Sequence, residues 1–157
     1  MPICNTNEFL VKRFSINKAM CLDIGEKRWG VALSNPNNSF SLPLKVLDYD
    51  SKIINSLNQI IEDYNVDLII IGLPLNYDNS LNRKCQSIRD ITKNIDAKLL
   101  KLKKSLPILF WDESFSTESA KENLDLQKFS KRKKEIDKFA ASIILQDFLN
   151  FINKNNT

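Results

Sequence analysis

Apolar residues along this chain fall into short solid runs that alternate with longer helical repeats. Residues 19–24 (Ala-Met-Cys-Leu-Asp-Ile) form a solid run broken by one acid and closed by Gly25. This run predicts a buried strand, and residues 29–34 predict a second one. The short link Glu26-Lys27-Arg28 makes the two a hairpin. A third strand is expected over about 40–48, where Pro43 calls for an edge position or a bulge. Ile53, Ile54, Leu57, Ile60 and Ile61 repeat at helical spacing within 51–64. Residues 67–71 (Asp-Leu-Ile-Ile-Ile), stopped by Gly72-Leu73-Pro74, predict a parallel strand covered on both faces. A helix over about 81–104 is expected to end before Pro107. Ile108–Trp111 then returns as a buried strand running straight into Asp112 and Glu113. A helix over about 118–126 could be capped by Ser116 or Thr117. The strongest repeat lies in 136–152, at Ile136, Phe139, Ala140, Ile143, Ile144, Phe148, Phe151 and Ile152.

That order predicts one α/β domain over 18–153, with a mixed central sheet of about five strands flanked by helices. Its antiparallel part falls at the N-terminal end. Residues 1–17 lack clean periodicity and are expected to form a loosely packed or poorly ordered extension. A chain of 157 residues is long enough to bury one real core. No apolar run approaches the roughly 20 residues of a membrane helix, and the first residues lack the apolar core of a signal peptide. The expected compartment is the cytoplasm, with no membrane partner.

Charge and chemistry narrow the picture further. A formal net charge of +4 is mild, but it does not repel phosphates as a strongly acidic surface would. The three cysteines are widely spaced, which argues against a zinc site or a disulfide frame. The chain has no histidine, so acid–base or metal chemistry falls mainly to carboxylates. Asp23 stands out because a carboxylate inside an apolar strand is normally paired or metal-bound. Asp112 and Glu113 share a strand end on opposite faces, so only one of them can point at a given site. Asp137 opens the last helix, where an acid also complements the helix dipole. Ala140 and Ala141 one turn on leave room for that helix to press on the sheet. Three such carboxylate positions suit hard cations such as Mg2+ or Mn2+, which can drive phosphodiester hydrolysis without histidine. The run 128–134 holds five basic residues in seven, including Lys131, Arg132, Lys133 and Lys134. Such a run is a solvated surface or, beside a phosphate-cutting site, a nucleic-acid contact. Lys27, Arg28 and Arg83 are further candidates for that contact. Of the three glycines, Gly25 and Gly72 close strands and permit positive φ or close approach, while Gly30 reads as a turn residue.

Four motifs in order resemble the YqgF/RuvX family. They are Cys21-Leu-Asp-Ile-Gly-Glu-Lys-Arg-Trp-Gly-Val-Ala-Leu-Ser34, Ile70-Ile-Gly-Leu-Pro-Leu-Asn76 followed by Asp78 and Ser80, Asp112-Glu-Ser-Phe-Ser-Thr-Glu-Ser-Ala120, and Ile136-Asp-Lys-Phe-Ala-Ala-Ser-Ile-Ile-Leu-Gln146. Each is weak alone, but together they are specific and cover about residues 19–150. The resemblance implies an RNase H-like fold and a nuclease maturing the 5′ end of precursor 16S rRNA, related to Holliday junction resolvases. It places Asp23, Glu113 (or Asp112) and Asp137 at the family's acidic positions, and leans towards Glu113 as metal ligand. Ile24, Glu26, Asn79 and Ser114 depart from the usual pattern; Ser114 stands where the family has an Arg that could clamp phosphate. The expected partner is RNA, or branched DNA for a resolvase, and the chain is expected to be a monomer or weak homodimer. A non-catalytic RNA-binding assembly factor is the reading from another class.

The basic run yields a direct test. Replacing Lys131, Arg132, Lys133 and Lys134 with Ala should weaken binding to different RNAs alike and flatten its salt dependence by up to about four phosphate contacts' worth of slope. An unchanged affinity and slope in a filter-binding series would make the run a solvated surface only.

Overall fold

A computed structural model describes residues 3–4, 16–74, 82–112 and 133–155, with side chains over 16–74, 82–112 and 139–154. The strands are β1 (Ile3–Cys4), β2 (Ala19–Ile24), β3 (Arg28–Ser34), β4 (Ser41–Asp48), β5 (Leu68–Leu73) and β6 (Ile108–Asp112). The helices are α1 (Ile53–Tyr64), α2 (Arg83–Lys101) and α3 (Lys133–Asn155). The described strands form one six-stranded sheet in the order β1-β6-β5-β2-β3-β4. β1, β6, β5 and β2 run parallel, while β3 and β4 continue antiparallel from β2. The helix expected over 118–126 lies outside the described residues.

The main difference from the sequence pattern is β1. No strand is expected before residue 18, yet Ile3 and Cys4 pair with Ile108 and Leu109 at the sheet edge. Two residues carry no readable period, and backbone bonds to β6 suffice to hold them. Pro43 sits on the opposite edge strand, and the β3/β4 register slips between Val31 and Ala32, which face Lys45 and Pro43. Both expected outlets for this proline, an edge and a bulge, are therefore used.

Strand alternation sorts the core into two layers. Met20, Leu22, Ile24, Ile69, Ile71, Ile108 and Phe110 pack with α1 and α2. Ala19, Cys21, Ala32, Leu68, Ile70, Leu109 and Trp111 pack against Ala141, Ile144, Leu145, Phe148, Leu149 and Ile152 of α3. The second face includes several small residues, which lets α3 lie close to the sheet.

Side-chain hydrogen bonds fix how these layers are hung together. Asp67 accepts from the backbone N–H groups of Asn17 and Lys18 at 2.9 Å each, clasping the start of β2 to the start of β5. Gln146 of α3 accepts from the backbone N–H of Ser41 at 3.0 Å and donates to the Ser39 carbonyl at 3.1 Å. Asn153 donates to the Asn38 carbonyl at 3.0 Å. These contacts occupy an edge-strand donor that would otherwise invite another strand. They also seat the later turns of α3 at the far end of the β3–β4 hairpin, so α3 begins towards the end that carries Asp23.

The β2–β3 turn is equally constrained. The Gly25 N–H donates to the Arg28 carbonyl at 3.0 Å. A Cβ on Gly25 would stand 2.6 Å from that same oxygen. Gly25→Ala should therefore force the turn open and cost about 1–3 kcal/mol, whereas Glu26→Ala in the same exposed turn should cost under about 0.5 kcal/mol. Urea melts of the two variants check this.

Candidate active site

The centre of the site is Asp23, the fifth residue of β2. It is half-buried and lies on the α3 face, as Ala19 and Cys21 do. Across β3 its register partner is Gly30. On the other side, β2 and β5 pair through Leu22 and Ile71, which puts Gly72 next to Asp23 in the following step. Gly30 shares its face with Ala32, and Gly72 shares its face with Ile70, so both glycines stand on the α3 face. Asp23 is thus flanked on both neighbouring strands by residues without side chains. None of the glycines in the described residues has a positive φ. Gly30 is therefore no turn residue, and Gly30 and Gly72 serve by the room they leave.

β2, β5 and β6 are parallel and end together, with Gly72 paired to Trp111 and Leu73 to Asp112. Crevices at the carboxyl ends of parallel strands are where α/β sheets bind ligands. Asp112 is half-buried and follows the alternation of Ile108 and Phe110, which face α1 and α2. By that alternation it lies on the face opposite Asp23. Glu113 lies outside the described residues. Asp137 stands in the second turn of α3, and its side chain is outside the described set. Among the described residues no group of three His, Cys, Asp or Glu is placed to hold a metal ion.

The candidate cations do not all fall together. Lys27 lies in the β2–β3 turn and half-buried Arg28 opens β3, both at the same end of the sheet as Asp23. Arg83 starts α2, exposed, in the layer opposite α3. Nearby Arg89 packs its guanidinium over Phe110, 5.1 Å from the ring centre, so it serves the α2 layer as well. The candidate cations are thus divided between the two layers. Lys131 and Arg132 lie outside the described residues, and Lys133 and Lys134 are the first residues of α3. Pro74, directly after β5, is joined to the start of α2, where Asn82 accepts from the Cys85 N–H at 2.8 Å and donates to the Pro74 carbonyl at 2.9 Å.

A mixed sheet with an acid on its first long strand, at the carboxyl end of parallel strands, is the architecture of RNase H-like nucleases. The fold matches the RuvC protein of Thermus thermophilus solved with a Holliday junction substrate, at TM-score 0.56 and 9% identity, over 87% of this chain and 95% of that one. A second Thermus thermophilus RuvC structure matches at TM-score 0.52 and 10% identity, over 85% and 96%. Residues 17–151 match the profile of the family described as RuvX, Holliday junction resolvase. A relative from Pelagibacter ubique named for pre-16S rRNA nuclease activity is 36% identical over 93% of this chain and 96% of its own length. A relative of the same name from Desulforamulus reducens is 38% identical over 84% and 96%. The chain belongs to the RuvX family, and it is a phosphodiester-hydrolysing enzyme.

Because Asp112 faces away from Asp23, Asp112→Asn should leave cleavage unchanged and lower stability by about 1 kcal/mol, the worth of a local hydrogen bond. Cleavage rate and melting temperature measured on the same preparation check both halves. An inactive, stably folded variant would assign Asp112 to the site.

Proposed function

We propose that this chain trims the 5′ end of precursor 16S rRNA in the cytoplasm by metal-dependent hydrolysis, with Asp23, Glu113 and Asp137 as the working carboxylates. The observation that carries this reading is the seat of Asp23, between Gly30 and Gly72 at the ends of three parallel strands. The RNA substrate is taken from the relatives' names.

Period supports the other two acids. Leu109 and Trp111 face α3, and a strand continued past Asp112 would bring position 113 to that same face. Ala141 and Ile144 of α3 pack on the sheet. Position 137 precedes them by four and seven residues, on the same helical stripe. The donors suit a hard divalent cation, since they are carboxylate oxygens in a chain with no histidine. Bound by these acids, Mg2+ or Mn2+ would lower the pKa of a bound water, so that it gives up a proton more readily to become the nucleophile, and would supply positive charge against the negative charge building on the phosphate. The protein's own part is positioning. β2 holds the Asp23 carboxylate rigidly, and the flanking glycines let the phosphate backbone approach it. Lys27 and Arg28 border the same end of the sheet and attract phosphates, and Lys131, Arg132, Lys133 and Lys134 add to that basic charge, the last two as the first residues of α3. Arg83 would meet the strand from the opposite layer. The working unit is a monomer or weak homodimer.

Branched DNA is the second reading, favoured by the family's description as a Holliday junction resolvase. Cutting a junction symmetrically would require a two-fold dimer.

Asp23→Asn should stay folded and lose cleavage of precursor 16S rRNA in Mg2+ or Mn2+ by more than about 100-fold, since even residues behind a metal ligand are worth about 10–100-fold. Primer extension across the 5′ end reads the cut, with a four-way DNA junction assayed in parallel. Normal RNA cleavage by the folded variant would overturn the carboxylate assignment, and cleavage of the junction alone would select the second reading.

A further inference from the structure

A cavity of about 280 Å3 opens on the face of the sheet away from α3, lined by residues of β3, the link between β4 and α1, the start of α1 and the second half of α2. Its chemistry is divided. Ile54 is part of an apolar floor, Tyr49 and Trp29 form an aromatic wall, and Asp50, Asn94 and Lys98 supply hydrogen bonds and opposite charges. The Tyr49 ring packs against Trp29 at 5.0 Å between centroids and remains 43% exposed. Its backbone is fixed by the bond from its N–H to the Lys27 carbonyl at 2.9 Å. The Asp50 carboxylate is oriented by the Lys52 N–H, which donates to Oδ1 at 2.9 Å. Trp29 is 1% exposed, and its indole Nε1 has no hydrogen-bond acceptor among the described residues.

We propose that this cavity binds a single nucleotide, with guanine as the preferred base. A flat base can stack on Tyr49, as bases do on exposed aromatics in single-strand binding sites. The Asp50 carboxylate suits a base edge carrying paired N–H donors, which guanine has. Lys98 supplies the cation for the phosphate. The other ligand classes match less of the lining. A sugar offers no flat face to Tyr49, an acyl chain leaves Asp50 and Lys98 unmatched, and a folded peptide segment exceeds the volume. The cavity lies at the same end of the sheet as Asp23, because Trp29 pairs with Ile24 in the adjoining hairpin. It is on the opposite face, so occupancy does not need the catalytic carboxylates. Free guanosine 5′-monophosphate and an unpaired guanosine of an RNA strand share the recognised chemistry; only the second source rests on the nuclease reading above.

The test uses the full chain with its tryptophan indoles labelled by 15N and no divalent cation added. Trp29 and Trp111 are the only tryptophans, and Trp111 lies on the α3 face. Guanosine 5′-monophosphate should shift the Trp29 indole resonance saturably and leave that of Trp111 in place. Adenosine 5′-monophosphate should bind about tenfold more weakly. Tyr49→Leu and Lys98→Met should each weaken binding about tenfold, and Asn94→Phe, at an exposed rim position, should block it. Asp23→Asn should bind as the unaltered chain does, which separates this site from the cutting site. A five-nucleotide RNA with one guanosine distinguishes the sources, because it shifts Trp29 if a strand is the ligand and leaves it unmoved if only the free nucleotide is. The proposal is overturned by no saturable shift at millimolar nucleotide, by equal affinity in Asn94→Phe, or by loss of the shift in Asp23→Asn.

Discussion

Asp23 holds a carboxylate on an interior strand of the sheet, among side chains that are otherwise apolar. Desolvating a charge in such a place is costly unless partners or space for a ligand are provided. Much of the surrounding sequence answers that constraint. Gly30 and Gly72, on the strands to either side, clear the α3 face next to the carboxylate. Gly25 closes the strand with a turn so tight that the Arg28 carbonyl occupies the place of a side chain. The chain has three glycines in all, and each lies within a strand or a turn of this one acid.

The second dependency is the seating of α3. Its apolar stripe could slide along a face of small residues such as Ala19, Cys21 and Ala32, because small side chains give few steric stops. The polar contacts of Gln146 with Ser39 and Ser41, and of Asn153 with Asn38, fix its position along the sheet. Those contacts lie at the end of the hairpin far from Asp23. Hydrogen bonds remote from Asp137 thus help to set where the start of α3, which carries it, lies along the sheet.

Most strands and helices were legible because their apolar residues repeat with clear period, as in Ile53–Ile61, or form a solid β-branched run, as in Ile69–Ile71. β1 was not, because a two-residue edge strand carries no period. Asp23 was legible as an acid in an apolar run, but its flanking glycines were not. Their role depends on register between strands, which a single sequence does not encode locally. The choice between Asp112 and Glu113 needed one further fact, namely which face Trp111 shares with Cys21. Alternation alone gives neighbouring residues opposite faces, and only the packing of α1, α2 and α3 on the sheet says that Asp112 lies on the face away from Asp23. The split of the basic residues between layers was hidden for the same reason.

The central claim is that the carboxyl end of β2, on the α3 face, is where a divalent ion binds. Paramagnetic broadening by Mn2+ tests it most directly, because the effect falls off steeply with distance from the ion and requires no substrate. Substoichiometric Mn2+ should first broaden the backbone amides of Asp23, Ile24 and Gly72 and those around Asp137, while leaving the Glu62–Asp63 pair of α1 sharp. Broadening that begins at Glu62 and Asp63, or spreads evenly over the acidic surface, would contradict the account.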